Sequence, residues 1–166
     1  MPATTPKEIF LVLLSHVRQG TEKAATIYQE LGQVVQDPQI KEALTARAFL
    51  SQKTLATLDQ CFKTIGEQPV KLTGRLQEVF LEDFRRELAE IQAPAAKRLF
   101  VLAKLVQLTH LRIGEYVALT AAADAAGHYG VGVMLETCLA DKLVFVERTR
   151  RVIHRVMETR IADRAA

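Results

Sequence analysis

The sequence predicts an all-α protein, four long helices forming a bundle with one shorter helix added. Apolar residues recur at spacings of three and four through almost the whole chain, no segment alternates with period two over a useful length, and Pro or Gly falls at the junctions between periodic stretches. Long antiparallel helices joined by short connections bury their apolar stripes only against one another. The 166 residues suit a single domain spanning 1–166. With 49% hydrophobic and 25% charged residues the chain should fold rather than stay disordered. Aromatics are few, seven Phe, three Tyr and no Trp, so closely packed aliphatic helices are expected.

The first helix is expected over 6–36. Thr5 can cap it, Pro6 suits its first turn and Glu8 completes a capping box. Its stripe reads Ile9, Val12, Leu13, Val17, Ala24, Ile27, Tyr28, Leu31 and Val34, with Gly20 on the same face, where it either permits close approach or marks a local irregularity. Phe10, Leu11 and Leu14 widen the stripe beyond one seam, enough for a further apolar face. Asp37-Pro38 starts the second helix, which carries Ile40, Leu44, Ala48, Leu55, Leu58, Phe62 and Ile65 and stops at Gly66. Thr73 can cap a short acidic third helix over 74–91, with Leu76, Phe80, Leu81, Phe84 and Leu88. Pro94 opens a fourth helix to residue 126, with Leu99, Leu102, Val106, Ile113, Val117 and Ala121 as its core series. Alanines 121–123, 125 and 126 predict a tight helix crossing, and Gly127 a stop. The last helix is expected over 130–161, through Val131, Met134, Leu135, Leu139, Leu143, Val146, Val152 and Met157.

Several functions are disfavoured by what these residues lack. The net charge of +3 is too small to argue for nucleic acid. The basic group Arg148, Arg150, Arg151, His154, Arg155 and Arg160 reads as a solvated helix end. Cys61 and Cys138 form no CxxC pair and read as small buried hydrophobes, and a catalytic pairing of Cys138 with His110 has no further support. The start of the chain does not read as a signal peptide, and no apolar run is long enough to span a membrane, so a cytoplasmic protein without membrane partner is expected. No Gly-rich loop lies between a strand and a helix. A two-metal carboxylate site in a bundle needs Glu from two helices and Glu-x-x-His from two others, and Glu-x-x-His does not occur here. His16, His110, His128 and His154 are scattered. The candidate ligands that remain are Glu78, Glu82, His110 and Asp141.

The chain resembles the bacterial ferritin-like stress proteins of the YciE/YciF type, a domain family of unknown function. Leu13-Leu14-Ser15, Leu58-Asp59-Gln60, the run Glu78 to Asp83 and the stretch from Tyr116 through Ala123 to Gly127 carry the resemblance, in order, from Ile9 to about Thr149. It implies a ferritin-like bundle, a homodimer and a place for two metals. The family's metal-ligand positions fall here on Thr21, on Phe49, Leu50 and Gln52, on Thr109 and Arg112, and on Ala140 and Asp141. Phe and Leu offer no lone pairs, and Arg112 opposes a divalent cation. Arg112 could instead pair with Glu82 or Asp141. The resulting expectation is a non-enzymatic bundle without cofactor, acting by assembly or through a protein partner. The alternative is an oxidoreductase or metal-storage protein with iron, manganese or zinc on Glu78, Glu82, His110 and Asp141. A third possibility is an apolar pocket between the helices, lined by Phe49 and Leu50.

Overall fold

The computed structural model describes residues 4–72 and 74–165; the side chains of 39 and 156–165 fall outside that description, as do Thr73 and the side chains of Met157 and Arg160. Five helices follow in order: α1 (Pro6–Val34), α2 (Pro38–Ile65), α3 (Leu76–Glu90), α4 (Pro94–Ala125) and α5 (Tyr129–Ala165). Among the described residues there is no strand.

The helix ends follow the local chemistry of the sequence. Thr5 and Glu8 form the reciprocal capping box, and the Ile40 amide donates to Asp37 Oδ1 at 3.2 Å. Gly66 and Gly127 take the left-handed conformation, with φ of 73° and 77°, that closes a helix end without a Cβ penalty. Beyond Gly127, the His128 amide returns to the Ala123 carbonyl at 2.8 Å. α3 starts without a side-chain cap, at Arg75.

Two apolar clusters give the topology. One joins the second half of α1 and the first halves of α2 and α4, with α3 and the far half of α5 packed on it. The other joins the first halves of α1 and α5 to the second halves of α2 and α4. Neighbouring helices are therefore antiparallel around the ring α1, α2, α5, α4. α2 ends at the opposite end of the bundle from where α4 begins, and the connection through α3 covers that length. α4 and α5 come close where Ala123 is buried against Gly132, whose added Cβ would lie 3.9 Å from that of Ala123.

Several expected core positions lie one residue out of phase. In α1 the interior stripe is Phe10, Leu14, Val17, Ala24, Ile27, Tyr28 and Leu31, while Ile9 and Val34 are exposed. Phe10 and Leu14 thus fill the core rather than form a spare face. In α4 the interior runs through Val101, Leu102, Leu105, Leu108, Tyr116 and Leu119, and Leu99, Val117 and Ala121 face outward. In α5, Leu143 is exposed and the neighbouring Lys142 is buried. In α4 and α5 the apolar periodicity is blurred because each helix also turns charged or hydroxyl side chains inward midway along its length.

Candidate functional site

Between the two apolar clusters the four long helices present a different set of side chains to the bundle axis. α1 contributes Thr21, α2 contributes Arg47, Ser51 and Thr54, α4 contributes Thr109 and Arg112, and α5 contributes Lys142. All are buried, and the three cations are 4% (Arg47), 2% (Arg112) and 4% (Lys142) exposed. Buried charge is expensive unless paired and hydrogen-bonded, so the partners of each cation decide what this waist can do.

Arg112 is the best satisfied. Its Nη2 donates to the Val17 carbonyl at 2.7 Å and to Thr21 Oγ1 at 2.6 Å, and its Nη1 pairs with Glu115 one turn along α4. Gln77 of α3 donates to the same carboxylate at 3.3 Å. Burial holds the Glu115 carboxyl above the usual carboxylate range even with Arg112 beside it. The guanidinium lies across α1 at Gly20, where an added Cβ would sit 2.1 Å from Nη1 and 3.1 Å from Cζ. Gly20 therefore exists at this point of the stripe to admit an arginine from α4.

Arg47 and Lys142 are satisfied mainly by aromatic faces. Arg47 Cζ lies 4.7 Å from the Phe145 ring centroid and 5.8 Å from that of Tyr28, and its buried Nε has no hydrogen-bond partner among the described residues. Lys142 Nζ sits 4.0 Å from the Tyr116 ring centroid and reaches the Cys138 carbonyl at 3.4 Å. Burial, reinforced by Arg47 and Arg112, lowers the Lys142 ammonium to about 7. Ser51, Thr54, Thr21 and Thr109 each donate to the carbonyl four residues back in their own helix. A cavity of about 10 Å³ lies at the meeting point, lined by Arg47, Ser51, Thr54, Arg112 and Lys142 with Thr21, Ala24 and Tyr28.

The residues singled out from sequence are distributed otherwise. Glu78 on α3 binds Lys23 and, at 3.1 Å, Arg75; these partners hold its carboxyl below the usual range, Lys23 foremost. Glu82 is exposed and pairs with Arg75 at 3.0 Å. His110 is exposed, its Nδ1 2.9 Å from the Val106 carbonyl, and Asp141 is exposed on α5. The structure brings Glu78 and Glu82 together on one arginine and leaves His110 and Asp141 on the outer faces of other helices. Among the described residues no group of three or more His, Cys, Asp or Glu side chains is placed to hold a metal ion.

Thr21, Thr109 and Arg112 do face the waist, and Arg112 takes Glu115 as partner rather than Glu82 or Asp141. On α2 the inward positions are Arg47, Ser51 and Thr54; Phe49 is 71% exposed, so it lines no interior pocket. On α5 the inward position is Lys142 rather than its neighbours Ala140 and Asp141. The inward turn of Arg47 and Lys142 is hard to read from the sequence because a single cation in an amphipathic helix reads as solvated. A signal was available: each falls in step with the buried stripe of its helix, Arg47 three residues after Leu44 and Lys142 four after Cys138.

The thiols offer no nucleophile. Burial, with Cys138 nearby, pushes Cys61 up to about 12, and burial also raises Cys138. Both are free.

Comparison with known proteins places this geometry. Residues 5–165 match the family described as a domain of unknown function, DUF892, and the chain belongs to that family. No curated protein matches it. Among solved structures, YcfI of Rhodopseudomonas palustris is 19% identical with a TM-score of 0.84, over 89% of this chain and 94% of that one. The E. coli stress protein YciF is 14% identical with a TM-score of 0.88, over 94% and 99%. A protein from Xanthomonas campestris pv. campestris is 17% identical with a TM-score of 0.76, over 98% and 100%. At such identities the likeness is one of fold, a ferritin-like bundle with an added shorter helix.

Proposed function

We propose that this member of the DUF892 family is a non-enzymatic ferritin-like bundle that acts by assembly or protein interaction, without a two-metal centre. The observation that carries the reading is the waist itself. Where a carboxylate-bridged site would need converging Glu and His, the helices supply Arg47, Arg112 and Lys142 and four hydroxyl side chains. Three cations repel a divalent ion, and the carboxylate that reaches them, Glu115, is engaged by Arg112. The assembly half of the reading draws support from large apolar side chains left exposed on the long helices, among them Phe49, Val117, Val133, Leu143 and Val144. Among the described residues no helix is long and apolar enough to cross a membrane. A cytoplasmic homodimer fits these features. The E. coli neighbour is described as a stress protein, which suggests a stress-linked role here.

Elemental analysis tests the reading. The full chain is expressed with iron, manganese and zinc supplied and purified without chelator. The expected result is no metal above background. One or two metals per chain, lost on His110→Ala or Glu82→Ala, would overturn it in favour of an oxidoreductase or storage site on Glu78, Glu82, His110 and Asp141. Sedimentation analysis of the same sample should give a dimer; a monomer at micromolar concentration would remove the homodimer.

A further inference from the structure

The waist carries more positive charge than it neutralises. Arg47, Arg112 and Lys142 are each more than nine-tenths buried. Arg112 has a carboxylate, from Glu115, but among the described residues neither Arg47 nor Lys142 makes an ion pair, and the contacts found there are two aromatic faces, the Tyr116 ring and one long bond to a carbonyl. Ring faces attract a cation but return no charge. Arg47 leaves its buried Nε without an acceptor. The cavity between these groups, about 10 Å³, admits a body of roughly one water molecule's size. Such a space excludes a tetrahedral oxyanion or a carboxylate with its chain. A neutral water there would satisfy hydrogen bonds and leave the charge; a divalent cation would add to it.

We propose that the waist is a binding site for one small monovalent anion of chloride type, held between Arg47 and Lys142 and flanked by Arg112. The ligand set suits such an ion. Arg47 supplies an N–H that lacks an acceptor, and Lys142 an ammonium with donors to spare. Ser51 and Thr54 line the cavity with hydroxyls that can rotate from their own helix carbonyls toward an anion. Glu115, the carboxylate paired with Arg112, is also held by Gln77. Asp141, the acidic neighbour of Lys142 in α5, is exposed. Burial first, and then the neighbouring Arg47 and Arg112, weaken the hold of Lys142 on its proton, in accord with the same surplus. The anion exchanges a metal site's logic for its inverse, a fixed set of cations organised around a mobile negative charge. Anion binding is independent of whether the bundle is catalytic: a metal-free bundle without the anion and an anion-binding bundle with another activity are distinguishable outcomes.

The test uses the full chain in sodium gluconate at constant ionic strength, with gluconate replaced stepwise by chloride. The expected result is a saturable rise in melting temperature of about 2–8 °C. Excess broadening of the chloride-35 resonance should accompany it, relieved by bromide and unaffected by sulfate. Lys142→Met should abolish both signals, and Arg150→Gln, at an exposed position on the same helix, should keep both. If Lys142→Met does not fold, Arg47→Met serves in its place. The proposal is overturned if chloride and gluconate give the same melting temperature and line width. It is overturned equally if sulfate matches chloride, which would indicate surface screening, or if the chloride effect survives in the folded variant.

Discussion

At one end of the bundle Phe10, Leu14, Leu58, Leu119 and Leu135 pack with no charged group among them. Two turns along the same helices, Thr21, Arg47, Ser51, Thr54, Arg112 and Lys142 take over, and two further turns on the interior is aliphatic and aromatic again through Ile27, Leu31, Leu44, Leu102 and Leu105. The ends obey a simple rule, since each fully buried aliphatic or aromatic side chain contributes about 1.5–3 kcal/mol by leaving water. The waist violates that rule on all four helices at the same level. Polar and charged side chains shared by four helices at one level form a layer rather than a single packing irregularity. The ends are apolar and the waist is polar, and the two therefore respond to different substitutions.

Breaking the ends should cost most. Leu58→Ala or Leu44→Ala removes a fully buried side chain from one cluster or the other, and each is expected to lose about 2–5 kcal/mol in urea unfolding. Equal losses at the two ends would show that they fold as one unit. A biphasic transition in either variant would show that the waist uncouples them.

A subtler break acts at the boundary. Gly20→Ala gains about 1 kcal/mol in helix propensity, yet its Cβ displaces the Arg112 guanidinium from Val17 and Thr21. The expected net loss is about 1–2 kcal/mol, because a buried donor left without its partners outweighs the propensity gain. With Arg112→Met in the background only the flexible Gln77 amide, 2.7 Å from the added Cβ, still has to move, and the loss should shrink to about zero or reverse. A double-mutant cycle measures the coupling directly. The same effect of Gly20→Ala in both backgrounds would disprove the arrangement.

The smallest effect is the most specific. The Lys142 ammonium has its folded pKa lowered to about 7, well below its ordinary value, so over the interval between the two the unfolded state binds more protons and stability rises with pH. Arg47 from α2 and Arg112 from α4 face it, with Tyr116 beneath and Cys138 and Asp141 on its own helix. In chloride-free buffer the gain from pH 7 to 8.5 should be about 1–2 kcal/mol, and Lys142→Met should flatten it. Above pH 8.5 the opposite sign enters: Cys61 and Tyr116 have raised folded pKa values, so the unfolded state loses their protons first and stability falls. A flat wild-type profile from pH 7 to 8.5 would mean that Lys142 already holds a counter-charge.

Local chemistry was legible from the sequence because it depends on neighbours along the chain. The capping box at Thr5 and Glu8, the Asp37 cap, the glycine stops at 66 and 127 and the five helices themselves depend on residues within a turn of one another. Even Gly20 could be flagged from its place on the stripe. The direction in which a mid-helix charged residue points could not be read the same way. Lys142 and Leu143 are adjacent, and only the packing of α5 on α4 decides that the lysine turns inward and the leucine outward. Phe49 reverses expectation on α2, where Arg47 turns inward in its stead. Residue pattern along the chain sets the number and order of the helices and several of their ends, because hydrophobic period and caps are local; α3, which starts at Leu76 without a side-chain cap, and α5, which runs to Ala165 rather than 161, depart from it. The tertiary structure alone decided that Arg47, Arg112 and Lys142, 65 and 30 residues apart along the chain, share one small space, because a charge pays its burial cost according to what the other helices bring to it.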